Sequence, residues 1–195
     1  KDIEAQGYIA PAACFEVRVD LPGDVRMDYA IANQEDRYRL AACATAKIEV
    51  ISELLKKHEG EPTLVIGQYL EQLHEVADKL DVPLITGQTP VYERERLFQG
   101  FRDGEIKTLV VSKVANFSID LPEASVAIQI SGSFGSRQEE AQRLGRLLRP
   151  KADGRAASFY TIISRDTVDQ DFAQNRQRFL AEQGYSYEIL DAFDL

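Results

Sequence analysis

Short apolar runs that alternate with stretches of helical period constrain this chain's fold more than any other feature. Thr63-Leu64-Val65-Ile66 is followed by helical spacing at Leu70, Leu73, Ala77 and Leu80 over Tyr69 to Leu80. Pro83-Leu84-Ile85-Thr86 is the next extended run; Thr89 then acts as a cap, with Pro90 at the first position of a helix reaching Phe101. Lys107-Thr108-Leu109-Val110-Val111 and Val126-Ala127-Ile128-Gln129-Ile130 continue the series. Ala157-Ser158-Phe159-Tyr160-Thr161-Ile162-Ile163 leads into a long helix from Thr167 to Gln183 and a last strand at Tyr185-Ser186-Tyr187-Glu188-Ile189. Upstream, Ala13 to Val19 reads as a strand, Leu21-Pro22-Gly23 breaks the chain, and one short helical piece spans about Asp28 to Leu40. A firmer helix runs from Thr45 to His58 with Ile48, Ile51, Leu55 and His58 on one side, closed by Gly60 and Pro62. Apolar strands alternating with helices predict an α/β fold, a parallel sheet flanked by helices on both faces. Ligands of such sheets bind beyond the carboxyl ends of the strands.

With 195 residues the chain can bury one sizeable core. A net charge of -9 excludes a protein coated in basic surface for nucleic acid, so any such contact is local to one face. No apolar run approaches the ~20 residues that a membrane span needs. Cys14 and Cys43 lack the spacing of a metal site and read as reduced thiols of a cytosolic protein, a single disulfide being the other option. His58 and His74 have no nucleophile pattern around them and read as structural or exposed; no metal ligands are expected. A chain beginning at Lys1, with no initiator Met and no leader pattern, reads as the start of a cut fragment.

The stretch Gly135-Ser136-Arg137-Gln138-Glu139-Glu140-Ala141-Gln142-Arg143-Leu144-Gly145-Arg146-Leu147-Leu148-Arg149-Pro150 carries the densest chemistry. Ser136 and Glu139 form a capping box, and the helix they open is expected to end at Pro150. Gln142, Gly145, Arg146 and Arg149 then lie at i, i+3, i+4 and i+7 along one edge, with Ala141, Leu144, Leu147 and Leu148 opposite. Forked guanidinium donors beside an amide and a bare glycine suit phosphate oxygens approached closely. A surface helix whose arginines pair with Glu139 and Glu140 would show the same spacing.

Gln142-x-x-Gly145-Arg146-x-x-Arg149 resembles motif VI of superfamily 2 helicases, and with Ile128-Gln129-Ile130-Ser131-Gly132 before it the chain resembles the XPB-type DNA repair helicases. The resemblance implies the C-terminal RecA-like lobe of such an enzyme at residues 45–195, with residues 1–44 as a lead-in segment of strand and short helix. It implies catalytic roles for Arg149, Arg146 and Gln142, with Gly145 and Asp120 also on the nucleotide. Gly67-Gln68-Tyr69 resembles motif IV, which holds the nucleic-acid backbone; relatives carry an aromatic and a hydroxyl where Gly67 and Gln68 stand here. Thr86, Gly87 and Thr89 resemble the segment between motifs IV and V. They offer small hydroxyls and close backbone approach suited to phosphate, while a capped turn needs the same residues. Ser112-Lys113-Val114 and Asp120-Leu121-Pro122-Glu123-Ala124 match the ends of motif V, with a departure at Ala115-Asn116-Phe117. Ser112 and Lys113 would meet DNA phosphate. The likeness reaches the tail, in Ser164-Arg165-Asp166-Thr167 and Gln183-Gly184-Tyr185-Ser186-Tyr187.

No Gly-x-x-x-x-Gly-Lys-Ser/Thr loop and no Asp-Glu dipeptide occurs, so the chain lacks the parts that bind a triphosphate and Mg²⁺. The resemblance implies that ATP and Mg²⁺ are shared with a first lobe, and that the parent couples ATP hydrolysis to 3′-to-5′ DNA opening in nucleotide excision repair or transcription. The implied location is the cytoplasm of a prokaryote or the nucleus of a eukaryote. Two other readings stay open: a nucleotide-sugar-binding half of a glycosyltransferase, and an acidic docking module that recruits a repair nuclease.

Overall fold

A computed structural model of the chain describes residues 12–112, 123–131 and 148–195. Its strands are β1 (Ala12–Val19), β2 (Thr63–Gly67), β3 (Leu84–Ile85), β4 (Thr108–Ser112), β5 (Val126–Gln129), β6 (Ala157–Ser164) and β7 (Ser186–Asp191). The helices are α1 (Gly23–Ile31), α2 (Gln34–Ala42), α3 (Ala46–Lys57), α4 (Leu70–Leu80), α5 (Val91–Arg102) and α6 (Val168–Glu182). One sheet runs in the order β3-β4-β2-β5-β6-β1-β7 with every pairing parallel. The upstream strand β1 is seated within it, between β6 and β7.

Alternate residues of each central strand feed opposite layers, as a pleated strand dictates. Leu64 and Ile66 of β2, Leu109 and Val111 of β4 and Phe159 of β6 pack with Leu97, Phe98 and Phe101 of α5 and Leu180 of α6. Val65, Val110, Ile128 and Ile162 face the other way, against Ile48, Ile51 and Leu54 of α3 and Leu73 and Val76 of α4. Strands covered on both faces need apolar residues throughout, which is why they read as continuous runs. The two sheet edges differ: β3 has only 2 residues, and β7 is largely exposed and carries Glu188 and Asp191. Short or charged edges of this kind resist pairing with other chains.

Two local expectations are corrected. The single piece at Asp28 to Leu40 is two helices, split at Ala32 and Asn33, whose backbones are extended. Asn33 Oδ1 accepts the Asp36 N–H at 2.8 Å and restarts the helix, while Arg37 donates to the Tyr29 and Ala30 carbonyls at the end of α1. Thr89 does not cap α5, because its hydroxyl accepts the Thr86 N–H at 2.9 Å and Pro90, with ψ 147°, holds the cap position instead. Cys14 and Cys43 form no disulfide, and burial pushes the Cys43 thiol up to about 11. Among the described residues no helix is long and apolar enough to cross a membrane.

Candidate functional site

Parallel strands align their carboxyl ends, Gly67, Ile85, Ser112 and Gln129, along one edge, and their amino ends, Thr63, Thr108, Val126 and Ala157, along the other. The candidate residues among those described divide between these two edges.

At the carboxyl edge, Gly67 is a packing requirement. A Cβ there would meet Leu73 Cδ2 at 2.8 Å and Ile130 Cγ1 at 3.0 Å. The Gln68 N–H already donates to Ser131 Oγ at 2.8 Å, although its side chain is exposed. No side chain caps α4, so its first-turn amides carry the helix's partial positive charge beside the acidic Glu71. In the next loop Thr86 and Thr89 spend their hydroxyl oxygens on backbone N–H groups, of Gln88 and Thr86 respectively. Each keeps its O–H to donate outward, and Gly87 between them is exposed. Ser112, directly opposite Gly67 in the sheet, is only 1% exposed. Lys113 lies outside the described residues.

Sequence reasoning missed the group that braces this edge. Lys47 is fully buried, donating from Nζ to the Ile130 carbonyl at 2.9 Å and to Asp169 Oδ2 at 2.8 Å. The same carboxylate oxygen accepts the Ser164 N–H at 3.1 Å, so one ion pair ties α3, α6 and the ends of β5 and β6 together. The legible signal was a lysine four and seven residues before Ile51 and Leu54, on the apolar stripe of its own helix. Lys47 and Asp169 also line a cavity of about 700 Å³ between α2, α6 and the sheet edge, with Gln68, Tyr69, Ser131 and Arg176.

Arg149 stands at the opposite, amino edge. Leu148 bridges Ala124 just before β5, and the Arg149 N–H donates to the Ala124 carbonyl at 3.0 Å. The expected helix therefore does not reach Pro150: a residue before proline is pushed out of the helical region, and here the chain is extended. The Arg149 guanidinium is 60% exposed and pairs with the Glu123 carboxylate, itself 49% exposed. An exposed pair contributes about 0–1 kcal/mol, weak enough for a phosphate to displace. Gln142, Gly145, Arg146 and Asp120 lie outside the described residues.

On the same amino edge, burial lowers the pKa of His58, against the opposing hydrogen bond that its ring makes to Glu61. The neutral ring donates from Nδ1 to Glu61 Oε2 at 2.7 Å and accepts from Tyr160 at Nε2, also at 2.7 Å. Burial raises Tyr160 to about 12 and keeps that hydroxyl a donor. Among the described residues no cluster of three or more His, Cys, Asp or Glu side chains could hold a metal ion.

The sequence profile of the ERCC3/RAD25/XPB C-terminal helicase family matches residues 3–194. The "DNA 3'-5' helicase XPB" of Kineococcus radiotolerans is 66% identical over 195 residues, all of this chain and 35% of that protein. The protein of the same name in Mycobacterium tuberculosis is 62% identical over 195 residues, all of this chain and 36% of its own length. The chain thus spans about a third of the curated relatives it matches. In three dimensions it is similar to the C-terminal domain of the DEAD-box protein Dbp5, at TM-score 0.65 and 16% identity, covering 93% of this chain and 91% of that one. That neighbour shares the RecA-like arrangement of a parallel sheet between two helical layers. With a profile match over almost its whole length and relatives this close, the chain belongs to the ERCC3/RAD25/XPB C-terminal helicase family.

Proposed function

We propose that this chain is the second motor lobe of an ATP-dependent 3′-to-5′ DNA helicase or translocase acting in nucleotide excision repair or transcription, and that it is inert as an ATPase alone. The observation that carries the reading is Arg149: its backbone is fastened to Ala124, while its guanidinium is exposed and, among the described residues, is held by the surface carboxylate of Glu123. A donor so placed can aim at charge developing on a phosphoryl group held by another lobe. Arg146 and Gln142 complete this arginine set, with Gly145 giving close approach and Asp120 on the ribose side. ATP supplies the phosphoryl group and Mg²⁺ its charge neutralisation; both are held mainly by the first lobe, for which this chain has no phosphate loop.

The carboxyl edge is the proposed DNA track. Thr86 and Thr89 hydroxyls, the Gly87 backbone, the Gly67–Gln68 turn and Lys113, which follows the buried Ser112, would meet one strand's phosphates. Closing of two lobes on ATP would move this edge relative to the first lobe's contacts. A location in prokaryotic cytoplasm or a eukaryotic nucleus goes with this reading. A second reading stands beside it. Helix α1 buries no residue and exposes Met27 and Ile31, which favours docking of a protein partner such as a repair nuclease.

The test is Arg149→Ala in the full-length protein. Turnover of ATP should fall about 10³- to 10⁵-fold, roughly 4 to 7 kcal/mol of barrier, with an unchanged melting curve. Arg149→Lys keeps the charge, loses the fork, and should recover little. Near-normal turnover in Arg149→Ala would return this arginine to a surface role.

A further inference from the structure

The amino edge holds a device that the motif reading does not use. Helix α3 ends at His58, and Gly60, at φ +81°, turns the chain so that Glu61 and Pro62 lead into β2. A side chain at that φ would be strained, so glycine is required for this path. Glu61 then lies among partners from its own turn and from the distant segment 151–155. Its Oε2 takes the His58 N–H at 2.7 Å and faces Lys151 Nζ at 3.7 Å; its Oε1 accepts from Arg155 at 3.3 Å. Lys151 is 8% exposed and His58 7%, while the Glu61 side chain keeps 22%, so the pairing is partly shielded from solvent and salt. His58 is braced in turn by Tyr160, which is 1% exposed.

The neighbouring Pro62 carbonyl accepts the N–H groups of both Ser125 and Val126 at 3.2 Å. Two adjacent residues thus grip the segment that carries Glu123 and Ala124 and the segment that carries Arg149. Between those segments runs the Arg149 N–H bond to Ala124, and beyond it the Lys151 N–H donates to the Arg155 carbonyl at 2.8 Å. Pro150 stiffens the one residue separating Arg149 from Lys151. The Arg149 backbone is therefore clamped from both sides while its side chain stays exposed, paired with the Glu123 carboxylate.

We propose that Glu61, oriented by His58 and pairing with buried Lys151, is a positioning residue that sets the place from which Arg149 reaches the reacting phosphoryl group. The proposal rests on the arginine role proposed above. A misplacement of about 1 Å far from the chemistry can cost about 10²-fold in rate, so loosening this clamp acts on turnover before it acts on nucleotide binding.

The experiment uses the full-length protein, with ATP hydrolysis measured in steady state and in single turnover with enzyme in excess. Lys151→Met should lower kcat about 10- to 100-fold with KM for ATP changed less than about twofold. Lys151→Arg, which restores the pair with Glu61, should recover most of the rate. In an Arg149→Ala background, adding Lys151→Met should cost nothing further, because the arginine it positions is gone. If Lys151→Met does not fold by melting curve, Glu61→Gln carries the same prediction. It keeps the side chain's shape and the bond from His58 but not the charge facing Lys151. Normal kcat in Lys151→Met or Glu61→Gln, beside a crippled Arg149→Ala, overturns the positioning role and leaves the arginine role intact. An additive loss in the double variant also overturns it. A normal rate in Arg149→Ala fails the arginine reading itself.

Discussion

His58 is the residue whose chemistry can be followed without any partner lobe. Burial disfavours its charged form, so its folded pKa lies below the ordinary value of 6.5. A group depressed on folding contributes stability fully above its unfolded pKa and loses it as pH falls through the folded one. The chain's melting temperature should therefore fall between pH 7.5 and about pH 5, above the range where carboxylates titrate. The neighbours in play are Glu61, Lys151 and Tyr160. Thermal melts of His58→Gln should show a lower starting stability and a much shallower slope over that window; an unaltered slope would assign it to other groups. The sequence places this histidine at a helix end but gives no sign of Glu61, Tyr160 or Lys151, since those partners meet it only through the sheet. Lys47 is a middle case. Its place on an apolar stripe was readable, while its carbonyl and carboxylate partners at Ile130 and Asp169 were not.

Elements were legible wherever burial on both faces forced a continuous apolar run, as in β2, β4, β5 and β6. They were less legible where side chains compete with the backbone for hydrogen bonds. Thr89 looked like a helix cap and serves a turn; Asn33 interrupts what reads as one helix and opens another. The break depends on a specific side chain, so Asn33→Ala should cost about 1 kcal/mol through the lost cap. For a chain of this size that lowers the melting temperature by roughly 2–4 °C. Amide exchange should quicken in the first turn of α2 and leave α3 unaffected; unchanged exchange at Asp36 would mean that the cap is not what starts the helix. The arginine segment ends for a different reason: Pro150 excludes Arg149 from a helix, and the Ala124 carbonyl takes its N–H.

At the scale of the whole molecule, a net charge of -9 would confine the proposed DNA contacts to a few donors on the carboxyl edge. The arginine stands on the amino edge, so nucleotide and DNA would be handled on opposite sides of one sheet. The strand pattern alone could not separate these edges, because a motif that leaves one strand's carboxyl end also arrives at the next strand's amino end. Glu123 and Ala124 lie at such an arrival. Family membership leaves the nucleotide-sugar reading without support and makes the shared ATP site the central claim. It is tested most directly by mixing the isolated chain with a separately prepared first lobe of the same protein and measuring DNA-stimulated ATP hydrolysis. Each part alone should run at background rate, the mixture should turn over ATP, and that turnover should be lost when the added chain carries Arg149→Ala. ATP turnover by the pure isolated chain, or a mixture indifferent to Arg149→Ala, would contradict it.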